Sequence, residues 1–247
     1  MQLATGGNML NFGMWDSKHN EPQSAQKNLC SNFANIAELN SARMILDVGS
    51  GLSAPAKYWK SIFDNLLICC VNINYSQLHS SEKQKNIEFL NSSSTRLPFS
   101  NGSVDRVLAL ESAQHFKPFS EFIGESKRVL SESGLLVLAI PITINNPSSA
   151  KLGILKFTWS SEHYDLDKIH QMIDDGGFDI LEEKLIGSSV YEPLANYYVE
   201  HRNDLKKLIS EKYPNYVEKI LFKSLEKMKR ASEKKIVDYA LIKCSLK

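Results

Sequence analysis

Residues 44–54 read Met-Ile-Leu-Asp-Val-Gly-Ser-Gly-Leu-Ser-Ala, an apolar run that stops at a glycine-rich turn. The apolar part, Met44–Val48, is too short for a helix and suits a buried strand. The segment after the turn, roughly Ala54–Phe63, has a helical pattern, and Pro55 is tolerated in its first turn. The stretch therefore predicts a strand, a tight turn and a helix, the unit from which open parallel sheets are built.

The same alternation of strand and helix continues to about residue 140. An amphipathic helix is expected over Phe119–Leu130, because its apolar residues recur at helical spacing and Pro118 stands at its start. The other apolar runs predict strands at Leu66–Val71, Ile87–Leu90, Val104–Leu110 and Leu135–Ile140. Near-continuous apolar strands alternating with helices predict an α/β fold whose parallel sheet is covered on both faces.

The regions outside this core are less regular. An amphipathic helix is expected near Ala25–Ile36, and Leu10–Asp16 before it reads as a short surface flap. The second half predicts a helix at Asp165–Asp175, late strands at Asp179–Leu185 and Tyr239–Ser245, and a lysine-rich helical segment at 191–235 that is interrupted by Pro214. The lysines of that segment form either a solvated face or a surface for an anionic substrate or lipid.

Composition excludes several classes of function. The 247 residues include 29 Lys+Arg and 28 Asp+Glu, and a net charge of +1 gives no global argument for a nucleic-acid partner. No apolar run is long enough to cross a membrane, and we expect no secretory signal at the N-terminus. The four cysteines show no metal-ligand spacing, so we expect buried free thiols, a cytoplasmic location and no metal.

The glycine turn, Gly49-Ser50-Gly51, follows the first strand at the edge of the sheet where ligands bind. Glycine lets the backbone approach a ligand closely, although it also serves a turn that binds nothing. A nucleoside triphosphate is disfavoured, because the Lys-Ser/Thr of a P-loop is missing. The turn matches the relaxed dinucleotide pattern G-x-G-x-x-G/A, so a dinucleotide and S-adenosyl-L-methionine (SAM) both remain open at this point.

Several further segments resemble one family, the class I SAM-dependent methyltransferases, from about residue 10 to the C-terminus. They are the ILDVGSG stretch, Leu97-Pro98-Phe99 with Asn101–Asp105, and Arg128-Val129-Leu130 with Gly134. Two more segments, Val71–Gln77 and Ala109–Phe116, are similar to the small-molecule branch, which acts on natural products, sterols and lipids and is of the methyltransferase-11 type.

The resemblance implies a Rossmann-like fold with a mostly parallel seven-stranded sheet, an antiparallel last strand, helices on both faces and a helical cap. It implies one domain over 1–247, in which 1–40 form a flap and helix, 41–141 bind SAM, and 142–247 form the substrate cap and the last strands. It implies methyl transfer by in-line displacement, with S-adenosyl-L-homocysteine (SAH) as product. The acceptor is expected to be a small molecule or lipid, methylated on oxygen first and on nitrogen or carbon as alternatives.

The resemblance also assigns residues to the cofactor. The positions implied are Asp47, Gly49, Ser50, Gly51, Asn72, Ile73, Gln77, Ser93, Ser94, Thr95 and Glu111. Two of them depart from the family pattern, because Asn72 replaces the usual acidic residue at the ribose and Ser93 replaces the usual aspartate at the adenine. An amide lacks the charge-assisted bonds of a carboxylate, so we expect weaker ribose binding, which Gln77 helps to restore.

Three residues are candidates for catalysis. His115 follows the fourth strand, and a neutral imidazole can accept a proton near pH 7, so it is the first candidate base. Glu111 is expected to contact the ligand or support His115, and His163 is the rival base. Aromatic residues expected near the ligand are Phe12 and Trp15 on the flap and Phe157, Trp159 and Tyr164 after the fifth strand.

Two other functions remain open from the sequence. One is a methyltransferase-like binding protein that has lost catalysis, as the changes at Asn72 and Ser93 would permit. The other is an NAD-dependent oxidoreductase, although the missing acidic residue at Asn72 argues against it. The identity of the acceptor and the oligomeric state do not follow from the sequence.

Overall fold

A seven-stranded sheet forms the centre of the protein. The computed structural model describes residues 7–81, 84–145, 147–155 and 164–247. The strands are β1 (Met44–Val48), β2 (Leu67–Asn72), β3 (Ile87–Asn91), β4 (Val104–Leu110), β5 (Leu130–Thr143), β6 (Phe178–Leu185) and β7 (Val237–Leu246). Their order is β3-β2-β1-β4-β5-β7-β6, with the first five parallel and β7 antiparallel to both neighbours. This confirms the predicted fold class.

Most predicted strands lie within one or two residues of the observed ones, and β5 is the exception. It extends from Leu130 to Thr143, whereas the sequence predicted Leu135–Ile140. The antiparallel partner β7 continues the pairing as far as Thr143. Pairing with β4 ends at Ala139, so Pro141 lies beside β7 alone, in the kind of position a strand proline tolerates.

Helices cover both faces of the sheet. They are α1 (Pro22–Ile36), α2 (Ala54–Ile62), α3 (Tyr75–His79), α4 (Phe119–Val129), α5 (Ser149–Leu152), α6 (Leu166–Asp175), α7 (Gly187–Glu200), α8 (Arg202–Lys212) and α9 (Asn215–Glu233). One core contains Phe33 of α1 and Trp59 of α2, and the other contains Phe122 of α4 and Ile169 of α6. None of the described helices is long and apolar enough to cross a membrane.

The lysine-rich segment forms α8 and α9, which pack beside α7. Leu225 and Met228 are buried on one face of α9. Glu218 was not predicted to be buried, yet its side chain is fully covered, and Arg202 Nε donates to its Oε1 at 2.8 Å. The Arg202 guanidinium also lies 3.5 Å from the centre of the Phe222 ring. One cation of this segment therefore stabilises the packing of the cap.

Within the segment Leu10–Asp16, which the sequence predicted as a surface flap, Trp15 lies in the core. Trp15 is only 6% exposed, its ring lies against Tyr197, and it belongs to the core rather than to the cover of a ligand. Backbone bonds fix the segment, since the Met14 N–H donates to the Ala25 carbonyl (2.9 Å) and the Trp15 N–H donates to α7. Gly13 permits this close docking, because a Cβ there would lie 2.8 Å from the Ala25 carbonyl carbon.

Candidate active site

Two adjoining cavities open at the carboxyl ends of β1, β2 and β4. The larger has a volume of about 510 Å³ and reaches the segment 8–12, and the smaller has about 270 Å³ and reaches residues 92–94. Gly49, Asn72, Ile73 and His115 line both. Because the two share one wall, a single extended ligand can occupy them together, at the sheet edge where open α/β folds bind ligands.

Gly49 lies where the two cavities meet. Its φ is +74°, and a Cβ added there would lie 2.5 Å from Ser112 Cβ. Ser112 is itself fixed, because its hydroxyl donates to the Val48 carbonyl at 2.6 Å. The Gly49 N–H donates to the Val71 carbonyl at 2.7 Å, which ties the turn to β2. This position therefore requires glycine, because the backbone has a positive φ and there is no room for a Cβ.

The other predicted residues of this turn divide into two groups. Ser50 and Gly51 line the larger cavity. Asp47 is 2% exposed, lies behind the turn and is not among the described residues that line either cavity. Its Oδ2 has no hydrogen-bond partner among the described residues, and burial raises the pKa of this carboxyl to about 7.

Asn72 and Gln77, both predicted to contact the ribose, are hydrogen-bonded to each other. Asn72 Nδ2 donates to Gln77 Oε1 at 2.9 Å and to the Gly51 carbonyl at 3.2 Å, while Asn72 Oδ1 accepts from the Asn74 N–H. Gln77 lines the larger cavity, and Ile73 beside it is 75% exposed. The side-chain oxygen of Asn72 is thus held by the backbone, and Gln77 extends the polar surface that a ribose could contact.

The serine-rich turn after β3 lines the smaller cavity with Ser93 and Ser94. Thr95 is not among the residues described at that wall. Its hydroxyl lies 2.9 Å from Ser93 Oγ, and its N–H donates to the same oxygen at 3.2 Å. Thr95 therefore orients Ser93 and is not placed against the ligand itself.

Glu111 lines the larger cavity and links three parts of the chain. Its Oε1 accepts from the Phe12 N–H at 2.9 Å and from the Tyr239 hydroxyl at 3.0 Å. Its backbone has a φ of +52°, an uncommon conformation for a residue with a side chain. Burial raises the pKa of this carboxyl to about 8, with the two hydrogen bonds acting in the opposite direction. The described contacts of the carboxyl are thus with the N-terminal segment and β7 rather than with His115.

His115 ends a short 3₁₀ turn, Ala113–His115, directly after β4. It is exposed and lines both cavities, which is where a proton acceptor for a bound ligand would be needed. The rival His163 and the aromatic residues Phe157 and Trp159 lie outside the described residues. Tyr164 packs against Phe119 at 5.3 Å between ring centres and is not among the described lining residues of either cavity.

Two buried amides were missed from the sequence. Asn11 and Gln114 are 4% and 6% exposed, and both line the larger cavity. Asn11 Oδ1 and Gln114 Oε1 have no hydrogen-bond partner within the part of the chain that the structure describes. Isolated amides give no signal in a sequence, so only the fold reveals them.

The described lining of the larger cavity fits SAM, which carries a sulfonium, an ammonium and one carboxylate and so has a net positive charge. That lining contains Glu111 and the two unpaired amide oxygens, and it contains no lysine or arginine. A cationic ligand with hydrogen-bond donors complements such a wall. The space above Gly49 admits close approach of a ligand to the backbone.

Comparison with known proteins identifies relatives of this chain. A family model described as a methyltransferase domain matches residues 46–138. The erythromycin 3''-O-methyltransferase of Saccharopolyspora erythraea is 26% identical over 244 residues, which covers 92% of this chain and 78% of that protein. The 27-O-demethylrifamycin SV methyltransferase of Amycolatopsis mediterranei is 25% identical over 149 residues, covering 58% of this chain and about half, 54%, of that protein.

A solved structure shows the same fold. The geranyl diphosphate C-methyltransferase of Streptomyces coelicolor A3(2), determined with SAH, matches with a TM-score of 0.78 at 11% identity, over 97% of this chain and 88% of that one. The matched family region runs from β1 to β5 and contains the glycine turn. Residues 46–138 therefore form a methyltransferase domain, and the chain is similar over most of its length to a SAM-dependent methyltransferase that acts on a small molecule.

Proposed function

We propose that this enzyme methylates a hydroxyl oxygen of a small molecule of the macrolide or polyketide type that carries no anionic group. The observation that supports this most is the position of His115, exposed at the junction of two cavities, of which the larger has no lysine or arginine in its described lining and the smaller is lined by Lys117. The described lining of the larger cavity offers nothing to neutralise a phosphate or carboxylate on the acceptor. The erythromycin and rifamycin relatives support an oxygen acceptor.

The cofactor assignments remain part of this proposal. The methionine part of SAM would lie over Gly49 and Gly51, and the ribose would lie at Asn72 and Gln77. Ser93 and Ser94 would contact the adenine in the smaller cavity. These positions follow the course of the two cavities along the carboxyl ends of β1 to β3.

When bound, SAM supplies an electrophilic methyl group for in-line displacement. The residues of the chain then hold the acceptor oxygen in line and exclude water, which is the main source of rate in such a transfer. Leu10 and Phe12 of the N-terminal segment form part of the cavity wall and limit the access of water. One imidazole nitrogen of His115 accepts the proton that the acceptor hydroxyl must lose.

Glu111 contributes charge to the same cavity. Without a cation nearby, burial holds its pKa at about 8, so the carboxyl is largely protonated at neutral pH. A cationic ligand favours the carboxylate and lowers this pKa. We infer that cofactor binding releases a proton from Glu111, so the affinity for SAM rises with pH up to about 8.

The experiment for the proposed function is a methyl-transfer assay. The purified chain, SAM and an erythromycin that lacks the 3''-O-methyl group are expected to give a product with one additional methyl group on oxygen. His115→Ala should lower kcat about 100-fold while SAH still binds. The control, His170→Ala, removes a histidine that contacts Glu183 on the surface away from the cavities. Unchanged turnover by His115→Ala across the pH range would contradict the assignment of the base.

The cellular setting and domain organisation are also inferred. The four cysteines are free and buried, which supports a reducing compartment such as the cytoplasm. The formal charge of +1 supports a small-molecule acceptor rather than a nucleic acid. We infer a single domain in which residues 41–141 bind SAM and 142–247 cover the acceptor.

A further inference from the structure

Gln114 is a buried side chain whose amide group is hydrogen-bonded by the described residues at its nitrogen and not at its oxygen. Its Nε2 donates to the Glu111 carbonyl at 2.8 Å, whereas Oε1 has no partner among the described residues. Because the Glu111 carbonyl can only accept a hydrogen bond, the amide atom of Gln114 that faces it must be the nitrogen. The amide oxygen therefore faces the other way. The side chain is 6% exposed and lines the larger cavity. A buried acceptor in such a position is unfavourable unless a ligand donates to it.

The position of Gln114 indicates which ligand that is. It lines only the larger cavity among the two, while the residues that would contact the adenine line the smaller one. It precedes His115 in the same 3₁₀ turn, and Pro141 of β5 lies at the same wall. Gln114 therefore lines the same cavity as the candidate base, which follows it in the chain, and does not line the smaller cavity proposed for the adenine.

We propose that Gln114 binds the methyl acceptor, through a hydrogen bond from a second hydroxyl of the acceptor to Oε1. The reacting hydroxyl gives its proton to His115 and cannot donate to both side chains at the same time. The acceptor therefore bears a hydroxyl near the one that is methylated, as a diol or sugar does. This inference rests on the proposed O-methylation and defines the acceptor further.

The consequence is selectivity for the second hydroxyl. A site built to hydrogen-bond a hydroxyl rejects an analogue that lacks it, because the buried group of the protein then stays unpaired. An acceptor without the neighbouring hydroxyl should therefore react with a much lower kcat/KM than the diol. The difference between the two acceptors should disappear in a protein that lacks the amide oxygen.

The test combines two variants with one matched control. Gln114→Leu removes the amide, and Gln114→Glu keeps an acceptor oxygen. The control, Gln171→Leu, makes the same glutamine-to-leucine change at an exposed position of α6. With the 3''-O-demethylated erythromycin, Gln114→Leu should lower kcat/KM about 10- to 100-fold, mainly through KM, and calorimetry should show SAH binding within about twofold of the wild type. Gln171→Leu should match the wild type in both.

Gln114→Glu provides a rescue that depends on pH. A protonated carboxyl can donate to the Glu111 carbonyl and accept from the acceptor, as the amide does. An ionised carboxyl leaves that carbonyl unpaired and lies near Glu111. We therefore expect the activity of Gln114→Glu, relative to the wild type, to fall as pH rises from 6 to 8.

Three results would overturn the inference. One is unchanged kinetics in Gln114→Leu. Another is a loss of SAH affinity as large as the loss of turnover, which would make Gln114 a cofactor residue. The third needs no acceptor: a crystal structure of the SAH complex in which a donor of the cofactor or protein lies within 3.5 Å of Oε1. If the wild type binds SAH but does not methylate the macrolide, the proposed function is contradicted, and the structure of the complex still decides the role of Gln114.

Discussion

The two ends of the ligand site differ in how their polar groups are satisfied. At the end where we propose that the adenosine binds, the side chains of Asn72 and Ser93 are neutral and bonded to neighbouring groups of the protein. At the other end, Glu111 is half-buried with a raised pKa, and the side-chain oxygens of Asn11 and Gln114 have no hydrogen-bond partner among the described residues. The first end is complete before the ligand arrives, whereas the second needs a cation and hydrogen-bond donors. Charge recognition is therefore concentrated at the methionine and acceptor end.

Gly49→Ala should produce the largest effect, because Gly49 belongs to both ends. The new Cβ would lie 2.5 Å from Ser112 Cβ, at a φ of +74° that alanine adopts poorly. We expect SAM and SAH binding to weaken at least about 100-fold and the free energy of unfolding to fall by about 2 kcal/mol. Calorimetry measures the binding of SAM and SAH, and urea unfolding measures the free energy of unfolding.

The matched control is Gly124→Ala in α4, where nothing lies within 4 Å of the added Cβ. Because alanine favours a helix, this variant should be as stable as the wild type or more stable by up to about 1 kcal/mol. Equal effects at the two glycines would show that the turn does not require Gly49.

Glu111→Gln should change how the free energy of unfolding depends on pH. The folded-state pKa of about 8 lies above the ordinary value of 4.5, so the folded protein keeps a proton that the unfolded chain releases. The contribution of Glu111 to stability is therefore lost as pH rises from about 4.5 to 8. When urea unfolding is measured without ligand, the free energy of unfolding of Glu111→Gln should rise relative to that of the wild type by on the order of 2 kcal/mol between pH 5.5 and 8.5.

Glu132→Gln, at an exposed position of β5, is the control and should not change this dependence on pH. A pH dependence that is identical in the wild type and Glu111→Gln would contradict a protonated Glu111. Glu111→Gln should also abolish the proton release that accompanies SAM binding, as measured by calorimetry in buffers of different ionisation enthalpy.

Gln77→Leu should have a moderate effect that is confined to the adenosine end. Loss of one neutral hydrogen bond to the ribose is expected to weaken SAM, SAH and 5'-methylthioadenosine about fivefold each, because all three contain the ribose. Gln171→Leu, at the exposed glutamine of α6, serves as the matched control and should bind all three like the wild type. If only SAM and SAH weaken, Gln77 belongs to the methionine end instead.

The smallest effect is expected on α9. Lys219 and Lys223 are exposed, so their replacement by glutamine should leave the kcat/KM for a macrolide without an anionic group within about twofold. The rate of the wild type should also change little between 0.05 and 0.5 M salt. A strong dependence on salt that these two substitutions remove would indicate an anionic acceptor and contradict the proposed one.

The sequence predicted the sheet and the glycine turn well, because these depend on patterns within ten or so residues. The bounds of β1 and β4 were correct, and Asn72 and Gln77 meet because one short turn separates them. Contacts between distant segments were missed. Tyr239 donates to Glu111 across 128 positions, and Trp15 is buried against α7. Local periodicity contains no information about such pairs.

The strand β7 has a consequence for how the protein forms. It is the last strand in the sequence and yet lies inside the sheet, between β5 and β6. During synthesis, the edges of both neighbours stay unpaired until the residues from Val237 onward have left the ribosome. Tyr239 of this strand also completes the hydrogen bonding of Glu111. A nascent chain therefore completes its sheet and its site in the same late step. Chains that lack β7 are expected to be prone to aggregation.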